Sequence, residues 1–99
     1  EAWVVLGGEL SFFLDDEEHL AGPGTCVFGP RGRTHSFLVR SETARMLTLL
    51  TPGSAEGFFH ATGRPADERT LPPPAEPDMP ALISAMADYG IELVGPPPH

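Results

Sequence analysis

Two side chains in this sequence have the chemistry and the setting for a catalytic or metal-binding pair: His35, behind a proline–glycine corner, and Glu1, which opens the chain. An imidazole moves protons near neutral pH and ligates metals, and a carboxylate beside it can do either job. Ahead of His35 the chain reads Gly24-Thr-Cys-Val-Phe-Gly-Pro30-Arg-Gly32-Arg-Thr. Pro30 fixes φ and Gly32 admits conformations closed to other residues, so a tight corner is expected just before the histidine. From there the residues alternate as His35-Ser-Phe37-Leu-Val39. That pattern predicts a strand with His35, Phe37 and Val39 on one face. If the face lines an apolar interior, the imidazole looks into it from near the strand's end.

The remaining reactive residues have plainer readings. His19 sits among acidic residues and reads as a surface side chain. His60 falls at the end of a short predicted helix, where a cation meets the C-terminal dipole favourably. His99 is terminal and expected to be disordered. Cys26 reads as a small core residue rather than a nucleophile, and as the lone cysteine it cannot form an internal disulfide, which fits a reducing cytoplasm. Asp15-Asp-Glu-Glu18 reads as a solvated turn. No Ser-His-Asp or Cys-His arrangement has supporting context. No glycine pair follows a strand and opens a helix, so there is no phosphate loop.

The elements that must position the pair are short strands. Glu1–Leu6, the Gly7-Gly8 corner and Glu9–Leu14 predict a β-hairpin, with Leu10, Phe12 and Leu14 on one face. Glu18–Leu20, Thr25–Phe28, His35–Arg40 and Ala44–Leu50 complete the strand series. Trp3, Phe12, Phe28 and Phe37 are the expected core, and those at the mouth of a barrel could line a pocket for a flat organic ligand. After Thr51-Pro-Gly53 the pattern changes. Ser54 is a plausible N-cap for a helix over Ala55–Ala61 stopped by Gly63, with Phe58 and Phe59 anchoring it on the barrel. Arg64–Pro77 is proline-rich and aperiodic, a strap or linker. Asp78 is the expected N-cap of a helix over Met79–Tyr89, with Leu82, Ile83, Met86 and Tyr89 as its apolar stripe and Gly90 as its stop.

Composition narrows the function. The 99 residues make one small domain, near the lower limit for burying a sufficient core. Fourteen acidic against six basic residues give a net charge of −8, which argues against a nucleic-acid partner. No apolar run reaches the roughly 20 residues of a spanning helix, so no membrane partner is expected. Glu1 begins a β-type run with no turn or cap before it, the start expected of a fragment or of a chain lacking its leading residues. A sheet that lacks leading strands would leave an open edge, which predicts a homodimer.

The spacing Gly24, five residues, Pro30, one residue, Gly32, two residues, His35 resembles the second sequence motif of the cupins, small antiparallel β-barrels. Glu1, six intervening residues and then Gly8 resembles the end of their first motif. More loosely, Thr51-Pro-Gly53 with its Phe-containing helix and Pro-rich tail is similar to the quercetin 2,3-dioxygenase-type cupins of bacteria. The resemblance implies a mainly β fold, a jelly-roll barrel over residues 1–52 with N-terminal strands missing, and a helix, strap and C-terminal helix over 53–99 packed on it. It implies that Glu1 and His35 are catalytic and metal-ligating, holding a divalent Fe, Mn, Ni, Co, Cu or Zn together with two upstream histidines. It implies a quercetinase-like, metal-dependent dioxygenase, an oxidoreductase acting on a small aromatic or enol substrate. Two departures stand against this. The His-x-His of the first motif is absent from the sequence, and Val39 stands where the family often has Asn. The alternative is a non-catalytic cupin that binds a small ligand, or dimerises, without a metal.

Overall fold

Alternation and turn chemistry decide the first half of the fold. In the computed structural model, which describes residues 1–98, six strands run β1 (Ala2–Gly7), β2 (Leu10–Leu14), β3 (Glu17–Ala21), β4 (Cys26–Phe28), β5 (His35–Val39) and β6 (Arg45–Leu49). The expectation for His99 lies outside the described residues. The strands form two antiparallel three-stranded sheets, ordered β4-β1-β6 and β3-β2-β5. The protein is mainly β, and the described strands do not close into a barrel.

The expected β1–β2 hairpin does not form. β1 pairs with β4 and β6, and β2 pairs with β3 and β5, so the two consecutive strands belong to different sheets. Gly8 is the reason. Its φ is +75°, and a Cβ there would run into the Thr43 carbonyl and the Ser41 hydroxyl. The chain therefore turns from one sheet to the other instead of folding back beside itself. Glu9 N donates to Ser41 Oγ at 2.9 Å, which fastens the corner.

Register decides which side chains meet. Trp3, Val5 and Val27 from the first sheet and Leu10, Phe12, Leu14 and Ala21 from the second make one buried cluster, with Ala44 and Met46 packed against it. Leu10, Phe12 and Leu14 take the inward face, as their alternation requires. Trp3 and Phe12 are its largest members, with ring centroids 5.2 Å apart. Burying such side chains stabilises a fold by about 2 kcal/mol each relative to exposure. Two expected core residues are elsewhere. Phe28 lies opposite Ala2, on the face of β1 turned away from Trp3, and is 65% exposed. Phe37 shares the inner face with Phe12 but is 42% exposed, because it lies on β5 at the margin of its sheet. Cys26 is exposed as well, opposite Val4, so it is not a core residue.

The chain divides into two compact units: Glu1–Thr51 with the residues from Val94 on, and Pro52–Leu93. The second unit holds a single 3-10 turn at Gly53–Ala55 and helices α1 (Glu56–Thr62) and α2 (Met79–Asp88). Ser54 does not cap α1. The 3-10 turn takes up Ser54, and Ala55 stands at the cap position of α1 without a side-chain bond. Asp78 does cap α2, its Oδ1 accepting from Ala81 N at 3.2 Å. The two helices pack where Gly57 meets the Tyr89 ring, so closely that a Cβ at Gly57 would lie 2.6 Å from it. No described helix is long and apolar enough to cross a membrane.

Candidate active site

The corner ahead of His35 is built as its residues require. Gly32 has φ +85°, a conformation that side-chain-bearing residues rarely adopt, and Arg33 N donates back to Pro30 O at 3.3 Å. On the other side of the turn, Gly29 N donates to Glu1 O at 2.7 Å. Gly29 is buried against the Trp3 indole, and a Cβ at this position would lie 3.0 Å from two ring carbons. The backbone of Glu1 is thus tied to the start of the corner whose far end carries His35.

These ties bring the two candidate residues together. His35 Nε2 lies 3.1 Å from Glu1 Oε1, and Nδ1 lies 3.3 Å from the Arg33 carbonyl. The imidazole packs against Trp3 at a centroid distance of 5.2 Å and an interplanar angle of 58°. His35 pairs with Leu14 in register, on the inner face shared by Phe12 and Phe37. The pair therefore sits at the rim of the apolar interior, with side chains 35% and 25% exposed. The aromatic row Trp3, Phe12 and Phe37 runs inward from it, with Trp3 and Phe12 buried in the core and Phe37 partly exposed.

The Arg33 carbonyl beside Nδ1 is the kind of second contact that orients a metal-ligating histidine and points its other nitrogen at the ligand position. The number of donors is the difficulty. Among the described residues no group of three or more His, Cys, Asp or Glu side chains comes together in a way that would hold a metal ion. A stable transition-metal site takes three or four protein ligands, so Glu1 and His35 by themselves do not make one. The other histidines do not join them. His19 Nε2 pairs with Glu17 Oε2 at 3.1 Å and His60 Nε2 with Glu56 Oε1 at 3.0 Å, both exposed.

Reading the acidic turn as merely solvated missed its structural work. Asp15, with φ 52°, receives Arg33 Nε at 2.6 Å and Thr34 N at 3.2 Å, clipping the β2–β3 turn to the residues just before His35. The Arg33 hydrogen bond, aided by its charge and by Thr34 N, holds the Asp15 carboxyl below its ordinary range. Glu18 is also lowered, by hydrogen bonding from the Ser11 hydroxyl and then from Arg40. Arg40 Nε donates to the buried Ser11 Oγ at 2.8 Å and its Nη2 to Glu18 Oε1 at 3.0 Å. The sequence signal was a pair of opposite charges on neighbouring segments, legible only once the strand pairing is known.

A hollow of about 250 Å³ lies in the helical unit, lined by Ala61, Thr62, Pro77, Asp78, Ala81 and Leu82. It holds none of the candidate site residues, and its one ionisable side chain, Asp78, is occupied as the α2 cap.

Comparison with known proteins adds one finding. The chain is 29% identical over 72 residues to the quercetin 2,3-dioxygenase of Bacillus subtilis (strain 168). The matched stretch takes in 73% of this chain and 21% of that relative. The likeness supports a cupin-like protein. It reaches no specific activity, and it leaves most of the relative without a counterpart here. No protein-family model matches the chain, and no solved structure matches it.

Proposed function

We propose that this chain is a cupin-like small-molecule-binding domain in which His35 and Glu1 form the polar anchor of the site and Trp3 and Phe37 its apolar wall. The observation that carries this reading is the 3.1 Å approach of His35 Nε2 to Glu1 Oε1 at the open rim of an aromatic-lined interior. A ligand with a hydroxyl or enol next to a flat ring satisfies both halves: the oxygen exchanges hydrogen bonds with the pair, and the ring lies against the exposed part of Phe37.

The test uses the only tryptophan in the sequence as its reporter. Quercetin, after which the Bacillus relative is named, is titrated against Trp3 fluorescence without oxygen. The expected result is saturable quenching whose affinity falls about tenfold in His35→Ala, the loss of a hydrogen bond made to a charged or polar partner. Quenching that does not saturate, or equal affinity in His35→Ala and Glu1→Gln, would overturn the reading.

A second reading, a quercetinase-like, metal-dependent dioxygenase, is favoured by the likeness to the Bacillus enzyme. It needs donors beyond Glu1 and His35, because two do not hold the metal. Its test is dioxygen uptake with quercetin in the presence of added divalent Fe, Mn, Co, Ni, Cu or Zn. Metal-dependent uptake that disappears in His35→Ala supports it, and none with any of these metals removes it.

A further inference from the structure

The His35 ring is oriented by the peptide that joins Arg33 to Thr34. Nδ1 lies 3.3 Å from the Arg33 carbonyl, and the N–H of that same peptide, on Thr34, donates to Asp15 Oδ1 at 3.2 Å. A trans peptide is planar, with its N–H and C=O pointing opposite ways, so it turns as one plate. The carboxylate that holds the N–H therefore sets the direction of the carbonyl. Two more bonds hold the same place. Asp15 N donates to Thr34 O at 2.8 Å, which carries the β2–β5 ladder one step past the Leu14–His35 pair. Arg33 Nε donates to Asp15 Oδ2 at 2.6 Å, which fixes the rotation of the carboxylate itself. Among the described residues Asp15 alone carries a side chain at positive φ, 52°, a conformation that glycine adopts freely and other residues uncommonly. Such an outlier points to a task for its side chain.

We propose that Asp15 is a positioning residue for His35: its carboxylate holds the Arg33–Thr34 peptide in the orientation that offers a carbonyl to Nδ1 and leaves Nε2 facing Glu1 and the ligand. Among the described residues the Asp15 side chain bonds to Arg33 and Thr34, so it acts on His35 through the peptide. The other support of the ring is Trp3, packed at a centroid distance of 5.2 Å. Packing against a ring face does not choose between two orientations related by a half-turn about χ2, because the imidazole has nearly the same shape in both. The carbonyl does choose, since only one of them sets Nδ1 beside it. With that contact gone, the half-turn takes Nε2 away from Glu1 Oε1, now 3.1 Å distant, and the polar anchor is lost. A site of this kind works only when a second layer of contacts holds its reacting groups within about 0.5 Å of their places. The β2–β3 turn supplies that layer from a segment that lends no side chain to the pair. The proposal rests on the small-molecule-binding reading of Glu1 and His35.

The test compares Asp15→Gly, which suits the backbone and removes both acceptor oxygens, with Asp15→Asn, which keeps one oxygen for the Thr34 N–H. One readout, on the ligand-free chain at a single pH, is the NMR shift of the His35 ring protons, which the Trp3 ring current displaces. The other is quercetin affinity from Trp3 fluorescence without oxygen. In Asp15→Gly the ring protons are expected to move toward the positions of the exposed His19 and His60. Affinity is expected to fall about tenfold, the scale on which contacts that orient a site histidine act. Asp15→Asn is expected to stay within about twofold of the wild type, because the acceptor for Thr34 N–H remains. The loss should vanish in a His35→Ala background, where Asp15 has no imidazole to act through. His35 ring protons unmoved in Asp15→Gly overturn the proposal. So does an Asp15→Asn variant as impaired as Asp15→Gly, or a loss that persists without His35. If Asp15→Gly does not fold, hydrogen exchange at the wild-type Thr34 amide decides: slow exchange supports the proposal and a free-peptide rate overturns it. A wild type without saturable quenching overturns the binding reading instead, and the ring-proton shifts still judge Asp15.

Discussion

The two sheets of the sandwich are equal in strand number and contribute comparably to one core, yet they meet the outside in opposite ways. The sheet of β2, β3 and β5 is held from without by polar clips: Arg40 to Ser11 and Glu18, and Arg33 to Asp15 at the turn. Among the described residues the sheet of β1, β4 and β6 shows no such clip across its outer face, which is apolar from Leu49 through Ala2 to Phe28. The difference teaches that inward packing leaves the outer chemistry of a sheet free to serve other ends. On one sheet it stabilises local geometry near His35. On the other it leaves apolar side chains exposed.

The strongest way to break this comparison is to show that inside and outside are energetically alike on the first sheet. Trp3→Ala and Phe12→Ala are expected to destabilise the chain by about 3–5 kcal/mol in urea titration, through lost transfer free energy and an unfilled cavity. Phe28→Ala, measured in dilute solution, is expected to stay within about 0.5 kcal/mol of the wild type. Equal losses at Phe12 and Phe28 would abolish the distinction between the two faces.

The corner that sends β1 and β2 into separate sheets comes next. Gly8→Ala sets a Cβ at positive φ against the Thr43 carbonyl, and a loss of about 2 kcal/mol is expected in the same titration. A neutral effect would mean that the crossing between sheets does not depend on Gly8.

Arg40→Ala sharpens the comparison on the second sheet. It removes the guanidinium donor to the buried Ser11 hydroxyl and to Glu18, and a loss of about 1 kcal/mol is expected from the missing hydrogen bonds. Leu47→Ala on the first sheet should cost less when both are measured as monomers. The reverse order would show that the polar chain is ornamental.

The smallest effect is in acid. Asp15 and Glu18 are lowered in the folded chain from ordinary values of 3.8 and 4.5. Their contribution is complete above about pH 4.5 and is lost as pH falls through the lowered folded-state values. The denaturation midpoint should decline below pH 4.5 in the wild type, and less steeply in the Asp15→Asn, Glu18→Gln double variant. Parallel profiles would remove both carboxylates from the account of acid stability.

Much of this architecture was visible in residue order, and the limits have physical causes. Short β-type runs between turn residues located the strands, and the Leu10, Phe12, Leu14 face was legible because two of its three outward neighbours, Glu9 and Ser11, are polar. The Pro30–Gly32 corner and the Asp78 cap were legible because few residue types satisfy those geometries. Pairing was not legible. Gly7-Gly8 suits a hairpin or a crossing between sheets equally well, and only the distant Ser41–Thr43 segment decides between them. The facing of β4 was hidden too, because Cys26, Val27 and Phe28 are all apolar and a strand with two apolar faces carries no alternation to read. At the site, the spacing foretold the His35 corner. The meeting with Glu1 came from resemblance, since thirty-odd intervening residues set that distance through Trp3 and Gly29.

The pairing of β1 has a consequence for how this chain comes to be folded. Its two neighbours are β4 and β6, and the second is not complete until Leu49. The opening strand therefore waits, unpaired on one edge, while all the others are made and threaded into place. Contacts so far apart in sequence make for slow assembly and a prolonged exposure of sticky edges. A ribosome-bound chain ending before Leu49 should be prone to aggregate, and the last strand, rather than the first, closes the sandwich.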